Sequence, residues 1–261
     1  MAIKHSLFLI FLTTLGCATS PTGRKQFIIV SDSQLALMAS SAFTEMKSQT
    51  PQERDPRTLA YINCVAKPLI RESSGRVGDA DWEVVVFKSD QVNAFAMPGG
   101  KIGVYTGLLK VAKTQDQLAA VLGHEVGHVM ARHSAERMSA ALATQAGLVA
   151  ADQLLDKKNS NRGVYLAALG LGAQFGVLLP HSRGNESEAD VIGLELMAQA
   201  GFDPRSSIEL WQNMAAASQG APPEFMSTHP SHSTRIDQLR ERMNWALSIY
   251  QQHEQKRPSC R

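Results

Sequence analysis

The sequence predicts an α+β fold, mostly helical, with one small β-sheet. Three observations predict it: helical spacing of apolar residues over 31–71, short strand-like segments over 82–105, and helical periodicity after Thr106. The chain has 261 residues, of which 44% are hydrophobic and 19% charged. This composition excludes a wholly disordered chain, and the length is sufficient to bury a core without help from disulfides.

The amino-terminal segment has the layout of an export signal. Lys4 precedes an apolar run over 7–15, which is too short for a stable membrane span, and Cys17 follows closely. The ending resembles a bacterial lipobox, in which the Cys17 thiol is lipidated before cleavage. An ordinary cleaved signal is the alternative. We expect a signal peptide over 1–16 and a lipid-anchored, polar tether over 17–30.

Two helices and a strand follow the tether. Apolar residues at helical spacing predict a helix over 31–50 and another over 56–71. Segment 82–88 is short and contains three consecutive valines, which predicts a β-strand.

A β-hairpin is predicted next in the chain. Segments 93–97 and 101–105 flank a Pro-Gly-Gly turn, and glycine supplies the positive φ that a tight turn requires. An extended peptide can add to the edge of such a sheet through main-chain hydrogen bonds. A purely structural hairpin is the alternative. The predicted substrate-binding strand comprises Asn93, Ala94, Phe95, Ala96 and Met97.

The helix after the hairpin carries a metal-binding motif. Thr114 and Gln117 form a capping box that starts it. His124 and His128 are four residues apart, so both imidazoles lie on one face and can reach a single Zn²⁺. Glu125 is placed to reach a water on the metal without ligating it. We expect one zinc ion per chain, and two surface histidines on a helix are the alternative.

A catalytic zinc also needs a third protein ligand and an open position. In the metzincin class a histidine would stand at position 134 and a glycine at 131, but this chain has Ser134 and Ala131, which excludes that class. His133 lies about 180° around a continuous helix from His124. We therefore expect His133 to be a solvated side chain.

An acidic helix over 182–201 offers the third ligand. Glu186 and Asp190 are four residues apart and share a face, whereas Glu188 points roughly 200° away from Glu186. We predict that Glu186 ligates the metal and that Asp190 orients a ligating histidine through its other ring nitrogen. For Glu188 we expect a solvated position near the helix start.

Residues 139–180 are rich in alanine, glycine and leucine. A single membrane crossing there would put the ligand helices on opposite sides of a bilayer, so we expect a helical hairpin that covers the core. The final helix, over 234–255, carries an apolar stripe that predicts core packing.

Several motifs together resemble one family of zinc peptidases. His-Glu-x-x-His at 124–128 is followed by Ser-Arg-x-x-Glu-x-Glu-Ala-Asp at 182–190. The stretch Asn-Ala-Phe-Ala-Met-Pro-Gly-Gly at 93–100 and Thr-His-Pro at 228–230 also fit. The resemblance is to the family that includes the HtpX heat-shock protease, the CAAX prenyl protease and the mitochondrial protease Oma. It covers roughly 25–250 of this chain.

The resemblance implies a zincin-like metallopeptidase domain over 31–255, followed by a short tail over 256–261. It implies peptide-bond hydrolysis, with Glu125 as general base on a zinc-bound water. By the same resemblance, His229 is the candidate donor to the tetrahedral oxyanion, with His232 as the second candidate. A histidine there could instead occupy the fourth position on zinc and keep the enzyme latent.

Charge and cysteine content limit the partners and cross-links that we expect. The 26 basic and 24 acidic side chains give a net charge of +2, which gives no reason to expect a nucleic-acid partner. Export to an oxidising compartment would allow Cys64 and Cys260 to pair. A buried Cys64 and a free thiol at Cys260 are the alternative.

The sequence thus predicts a zinc endopeptidase that cleaves unfolded or misassembled envelope proteins. Ala18 after the cysteine resembles lipoproteins sent to the outer membrane, so we expect an outer-membrane lipoprotein that faces the periplasm, with envelope assembly machinery as a candidate partner. The alternative is a chaperone-like outer-membrane assembly factor with a latent or rarely active zinc site. A base such as Glu125 favours the enzyme, because a closed structural site has no use for one.

Overall fold

The α+β class is confirmed by a computed structural model of the chain. The structure describes residues 17–78, 80–155, 161–173, 179–217, 225, 229 and 233–260. The predicted signal peptide over 1–16 lies outside the described residues.

The elements follow the predicted order of helices, a small sheet and further helices. The strands are β1 (Cys17–Thr19), β2 (Lys25–Phe27), β3 (Glu83–Phe87), β4 (Ala94–Met97) and β5 (Lys101–Tyr105). The helices are α1 (Asp32–Gln49), α2 (Pro56–Ser73), α3 (Gln115–Met130), α4 (His133–Leu154), α5 (Arg162–Ala173), α6 (Leu179–Gln199), α7 (Ser206–Ala217) and α8 (Ser233–His253). Short 3₁₀ helices at Thr106–Lys110 and Glu254–Lys256 complete the set.

The predicted hairpin belongs to a three-stranded sheet with the order β3-β5-β4. β4 and β5 are antiparallel, and β3 runs parallel to β5. Gly99 and Gly100 form the turn with φ angles of 80° and 83°, a region that glycine adopts without strain. Among the described strands, β4 therefore lies at the edge of the sheet, as predicted.

The two faces of this sheet pack against different layers. Alternate side chains of a strand point to opposite faces. On one side, Phe87, Phe95 and Tyr105 form an aromatic cluster with Phe43 of α1. The other side, with Ala94 and residues of β3 and β5, joins the main core built from α2, α3, α6, α7 and α8. Helix α3 therefore packs against the sheet on one side and against α6 on another.

The segment over 17–30, expected to be a tether, is partly folded against the domain. β1 and β2 form an antiparallel pair, and Gln26 and Ile28 are buried. Gln26 donates a hydrogen bond to the Ala131 carbonyl, and the Ile29 amide donates to the Ser139 hydroxyl. This correction has a physical cause: polar side chains that read as a linker in sequence find buried partners in the fold.

In the described part of the helical hairpin formed by α4 and α5, side chains after Ser139 do not cover the core, contrary to prediction. None of its described side chains is buried beyond Ser139, and Leu154, Val164 and Leu171 are more than half exposed. Within the described residues, every helix is too short or too polar to span a bilayer. The described side chains of the hairpin after Ser139 are instead exposed or half-buried.

The carboxyl-terminal tail is tied to the start of α3. Cys64 of α2 and Cys260 form a disulfide, with their Cα atoms 5.6 Å apart. The Arg257 guanidinium donates to Asp116 over 2.6 Å, and the Cys260 amide donates to Gln115 over 2.8 Å. The tail therefore fixes the amino end of the helix that carries the histidines.

Candidate metal centre

Helix α3 presents its two histidines from a buried, well-capped position. The Thr114 side chain accepts a hydrogen bond from the Gln117 amide, as the capping box predicts. His124 is 3% exposed, and its Nε2 atom lies 3.0 Å from Nε2 of His128. The two ring nitrogens therefore point at one place, one helical turn apart.

Close packing of α6 on α3 brings the acidic residues to these histidines. A Cβ atom on Gly123 would lie 2.9 Å from the Gly193 carbonyl oxygen, and one on Gly193 would lie 2.7 Å from the His124 amide nitrogen. On Gly127, a Cβ would lie 2.9 Å from the Ala189 oxygen. Small residues at these positions let the two backbones approach, which places Glu186 against the imidazoles.

Glu186 completes a group of atoms that suits one metal ion. Its Oε2 lies 3.2 Å from His124 Nε2, and its Oε1 lies 3.4 Å from His128 Nε2. Ligands at 2.0–2.1 Å from a tetrahedral zinc are separated by roughly 3.3–3.4 Å. Two imidazoles and a carboxylate at this spacing fit Zn²⁺, although the donor set does not by itself select zinc.

The group is electrostatically prepared for a cation. Burial would raise the pKa of Glu186, but hydrogen bonds with the surrounding imidazoles hold it far below the ordinary value. Burial would lower the pKa of His124, but hydrogen bonds to Asp190 and Glu186 raise it to about 9. Burial holds the pKa of His128 well below its usual range. The Glu186 carboxylate therefore carries a negative charge that a bound cation would neutralise.

Asp190 lies where the sequence predicted it. Its Oδ1 accepts from His124 Nδ1 over 2.9 Å, which leaves Nε2 of that ring free to face the other ligands. Asp190 is in turn held by Arg235 of α8, whose Nε and Nη2 atoms each donate to it over 2.6 Å. The role of Asp190 stays a prediction, but the contact it requires is present.

Arg235 is a site residue that the sequence analysis missed. It is 2% exposed, donates from Nη1 to Glu186 over 3.1 Å, and its guanidinium stacks over Trp211 at 4.0 Å. One signal was available. Arg235 stands one turn before Leu239 on the buried stripe of the last helix, so helical periodicity directs it toward the core.

Glu125 lies between the histidines and the edge strand. It is 3% exposed, and its Oε2 accepts a long hydrogen bond of 3.3 Å from the Ala96 amide of β4. Among the described residues its Oε1 has no hydrogen-bond partner, and His229 Nε2 is 3.4 Å away. A buried carboxylate oxygen of this kind is free to interact with a water or a substrate group.

His229 is placed within the metal group rather than beside it. Its Nδ1 lies 3.1 Å from both Glu186 oxygens and 3.3 Å from His124 Nε2. Its ring stacks on Phe225 with centroids 4.8 Å apart. His124, His128, Glu186 and His229 can each offer one ligand atom within 4.8 Å of the others. The second candidate, His232, lies outside the described residues.

In the predicted substrate-binding strand, a main-chain group faces the site while several side chains pack in the interior. Ala96 presents its amide to the site, whereas the Phe95 ring packs in the aromatic cluster and Ala94 is buried. Asn93 accepts at its main-chain oxygen from the Tyr105 amide, and Met97 packs beside the same cluster. Contact with a substrate through this segment would therefore be made by the backbone.

His133 and Glu188 are not solvated, which corrects the sequence analysis. They are 4% and 5% exposed. His133 Nδ1 lies 2.8 Å from Nδ1 of His128, and its Nε2 lies 3.1 Å from Glu188. The error arose from treating the helix as continuous: α3 ends at Met130, and Arg132 adopts a left-handed φ of 55° before α4 begins.

Comparison with known proteins identifies relatives over most of the chain. The sequence profile of peptidase family M48 matches residues 56–243. The mitochondrial metalloendopeptidase OMA1 of Schizosaccharomyces pombe is 39% identical over 225 residues, covering 84% of this chain and 64% of the relative. Human mitochondrial metalloendopeptidase OMA1 is 31% identical, covering 93% and 49%. The β-barrel assembly-enhancing protease of Yersinia pestis is 31% identical, covering 77% and 42%. The chain thus spans about half the length of these relatives.

Proposed function

The chain belongs to peptidase family M48, and from this premise we propose that it is a zinc-dependent endopeptidase. The observation that supports the proposal most strongly is the convergence of His124, His128 and Glu186 beside Glu125, whose Oε1 accepts no hydrogen bond from the described residues. Three convergent ligand atoms can bind a metal ion, and a buried carboxylate next to them can transfer protons to and from a water on that ion.

Each buried residue of the site has a defined task in this mechanism. When bound, the zinc ion supplies Lewis-acid chemistry, which acidifies water and polarises a carbonyl. Glu125 accepts a proton from the attacking water and returns it to the leaving amine. Asp190, held by Arg235, keeps the His124 ring oriented with its proton on Nδ1.

We assign the edge of β4 to substrate binding. An extended peptide that adds to this edge lies next to Glu125, because the Ala96 amide already points at that carboxylate. Main-chain recognition of this kind tolerates many side chains, so it favours unfolded chains over folded ones.

His229 has two compatible roles in the proposal. Its Nδ1 lies among the ligand atoms, where it can occupy a coordination position and hold the enzyme latent. Its Nε2 lies on the side of Glu125, where it can donate to a developing oxyanion once substrate is bound. The latent arrangement also favours the second candidate function, an assembly factor whose zinc site is rarely active.

For substrates and location, we propose misassembled proteins of the bacterial envelope and an outer-membrane lipoprotein anchored at Cys17. The lipobox-like ending at Cys17 supports the anchor. The name of the Yersinia pestis relative refers to β-barrel assembly, and this supports assembly-related substrates, while the OMA1 relatives are named mitochondrial. Labelling of the chain with radioactive palmitate, lost in Cys17→Ser, tests the anchor.

One experiment tests the enzymatic proposal. Glu125→Gln should abolish casein cleavage while retaining one Zn²⁺ per chain, because the residue moves protons and does not ligate. Glu241→Gln, on an exposed position of α8, is the matched control and should retain activity. Casein cleavage that survives in Glu125→Gln would refute the mechanism, and a wild type without bound metal would refute the metal site.

A further inference from the structure

We propose that His133 is a positioning residue for His128, and that it couples the amino-terminal hairpin, formed by β1 and β2, to the metal centre. The inference rests on the proposed function, because it concerns how one ligand of that site is aimed. The inference goes beyond the proposed function because it assigns a role in ligand positioning to three residues outside the ligand set: His133, Glu188 and Thr22.

The backbone corner between α3 and α4 brings His133 back onto His128. On a continuous helix a residue five positions after His128 would point well away from it. Instead α3 ends at Met130, and Arg132 takes a left-handed conformation with φ 55° and ψ 32°. Non-glycine residues rarely adopt this region, and they persist there where the surrounding structure imposes it. The corner places the two ring Nδ1 atoms 2.8 Å apart.

The hydrogen-bond partners of the two rings fix their tautomers. Glu188 accepts only, so His133 must carry its proton on Nε2, which lies 3.1 Å from that carboxylate. Its Nδ1 is then the acceptor, and His128 must donate to it from its own Nδ1. The lone pair of His128 is thereby left on Nε2, the atom that faces His124 and Glu186.

The amino-terminal hairpin holds Glu188 in this arrangement. Arg24 donates from Nε to Glu188 over 2.7 Å, and its other nitrogens donate to Glu136 over 2.6 and 2.7 Å. The Thr22 hydroxyl donates to the second oxygen of Glu188. A continuous series of contacts therefore runs from the turn between β1 and β2 through Glu188 and His133 to a metal ligand.

Two substitutions of His133 separate positioning from simple packing. In His133→Asn, the amide oxygen can take the place of Nδ1 and accept from His128, but the contact with Glu188 is lost. In His133→Gln, the longer amide can take the place of Nε2 and keep Glu188, but the contact with His128 is lost. His133→Ala loses both contacts.

The measurement is the dissociation constant for Zn²⁺, obtained by competition with a chromophoric chelator. Urea unfolding of the metal-free proteins is measured in parallel, and Co²⁺ absorption reports the geometry of the ligands. We expect His133→Ala and His133→Gln to bind Zn²⁺ about 10- to 100-fold more weakly than wild type, with altered Co²⁺ spectra. We expect His133→Asn to stay close to wild type, because an amide oxygen accepts from His128 without needing Glu188 to fix a tautomer.

A variant in the hairpin tests the longer coupling. Thr22→Val removes one donor to Glu188, and we expect it to weaken Zn²⁺ binding by about threefold or more. Thr44→Val, at an exposed position of α1, is the matched control and should bind as wild type does. Wild-type affinity in Thr22→Val would overturn the coupling to the hairpin.

The outcomes distinguish this inference from the proposed function. Equal affinities in the three His133 variants, or tighter binding by His133→Gln than by His133→Asn, would overturn the positioning role while the metal site stands. A wild-type protein that fails to bind Zn²⁺ would instead overturn the proposed function, and this inference with it.

Discussion

Gly193 controls the distance between the two helices that carry the proposed metal ligands, and its replacement by alanine tests that control. The added Cβ would lie 2.7 Å from the His124 amide nitrogen and 2.8 Å from the Gly123 carbonyl carbon. Ordinary contacts between such atoms are about 3.5 Å. The helices must therefore separate locally by about 0.7 Å, whereas a metal site tolerates deviations of only about 0.2 Å in its ligand distances.

The magnitude follows from the cost of forcing the helices back together. Overpacking of this kind costs about 1–3 kcal/mol, and the metal-free protein can relieve it by letting α6 move outward. The metal-bound protein cannot, since Glu186 must stay 3.2 Å from the His124 nitrogen. If all of this overpacking free energy is subtracted from the free energy of metal binding, Gly193→Ala should bind Zn²⁺ about 5- to 150-fold more weakly than wild type.

The assay is chelator competition for Zn²⁺ together with urea unfolding of the metal-free protein. Gly147→Ala is the matched control, because Gly147 is a helical glycine and a methyl group added to it would meet no atom within 4 Å. It should leave Zn²⁺ affinity unchanged and stabilise α4 by about 0.5–1 kcal/mol. Wild-type Zn²⁺ affinity in Gly193→Ala would refute the view that backbone contact sets the ligand spacing.

Three further predictions concern stability. Arg235→Gln leaves buried carboxylates without their counter-charge and should lower the free energy of unfolding of the metal-free protein, measured with urea, by about 3–5 kcal/mol. Zn²⁺ should restore part of the lost stability, and a variant as stable as wild type would contradict this prediction. Burial would raise the pKa of Glu136, but the hydrogen bonds from Arg24 hold that pKa below its ordinary value. The contribution of Glu136 to the free energy of unfolding is therefore present above about pH 4.3 and is lost as the pH falls further. Wild type should therefore lose more stability than Glu136→Gln between pH 6 and pH 3, and parallel losses would count against this pair. Cys260→Ser should cost about 2–4 kcal/mol in urea unfolding without reductant, and no difference from wild type would argue against the disulfide.

The sequence predicted those parts of the site that depend on local periodicity. His124 and His128 share a face because they are four residues apart on one helix, and the same rule placed Glu186 and Asp190 together. The turn at Gly99 followed from glycine chemistry. These features needed no knowledge of how distant segments pack.

The residues that were misjudged depend on tertiary contacts. The position of His133 was wrong because a left-handed residue at 132 breaks the periodicity on which the inference relied. Glu188 was taken as solvated because its partner Arg24 is 164 positions away in the chain. Arg235 was missed because its role depends on how α8 packs over α6. The apolar composition of α4 and α5 predicted that they would cover the core. Composition alone does not determine which part of the protein such helices pack against.

The bond between Cys64 and Cys260 has a consequence for how damage to this chain would be seen. All residues of the metal group lie in the segment that it closes. A single backbone nick anywhere inside that segment, self-inflicted or not, would leave both fragments covalently attached. Electrophoresis without a thiol would then show one full-length band, and only dithiothreitol would release the pieces.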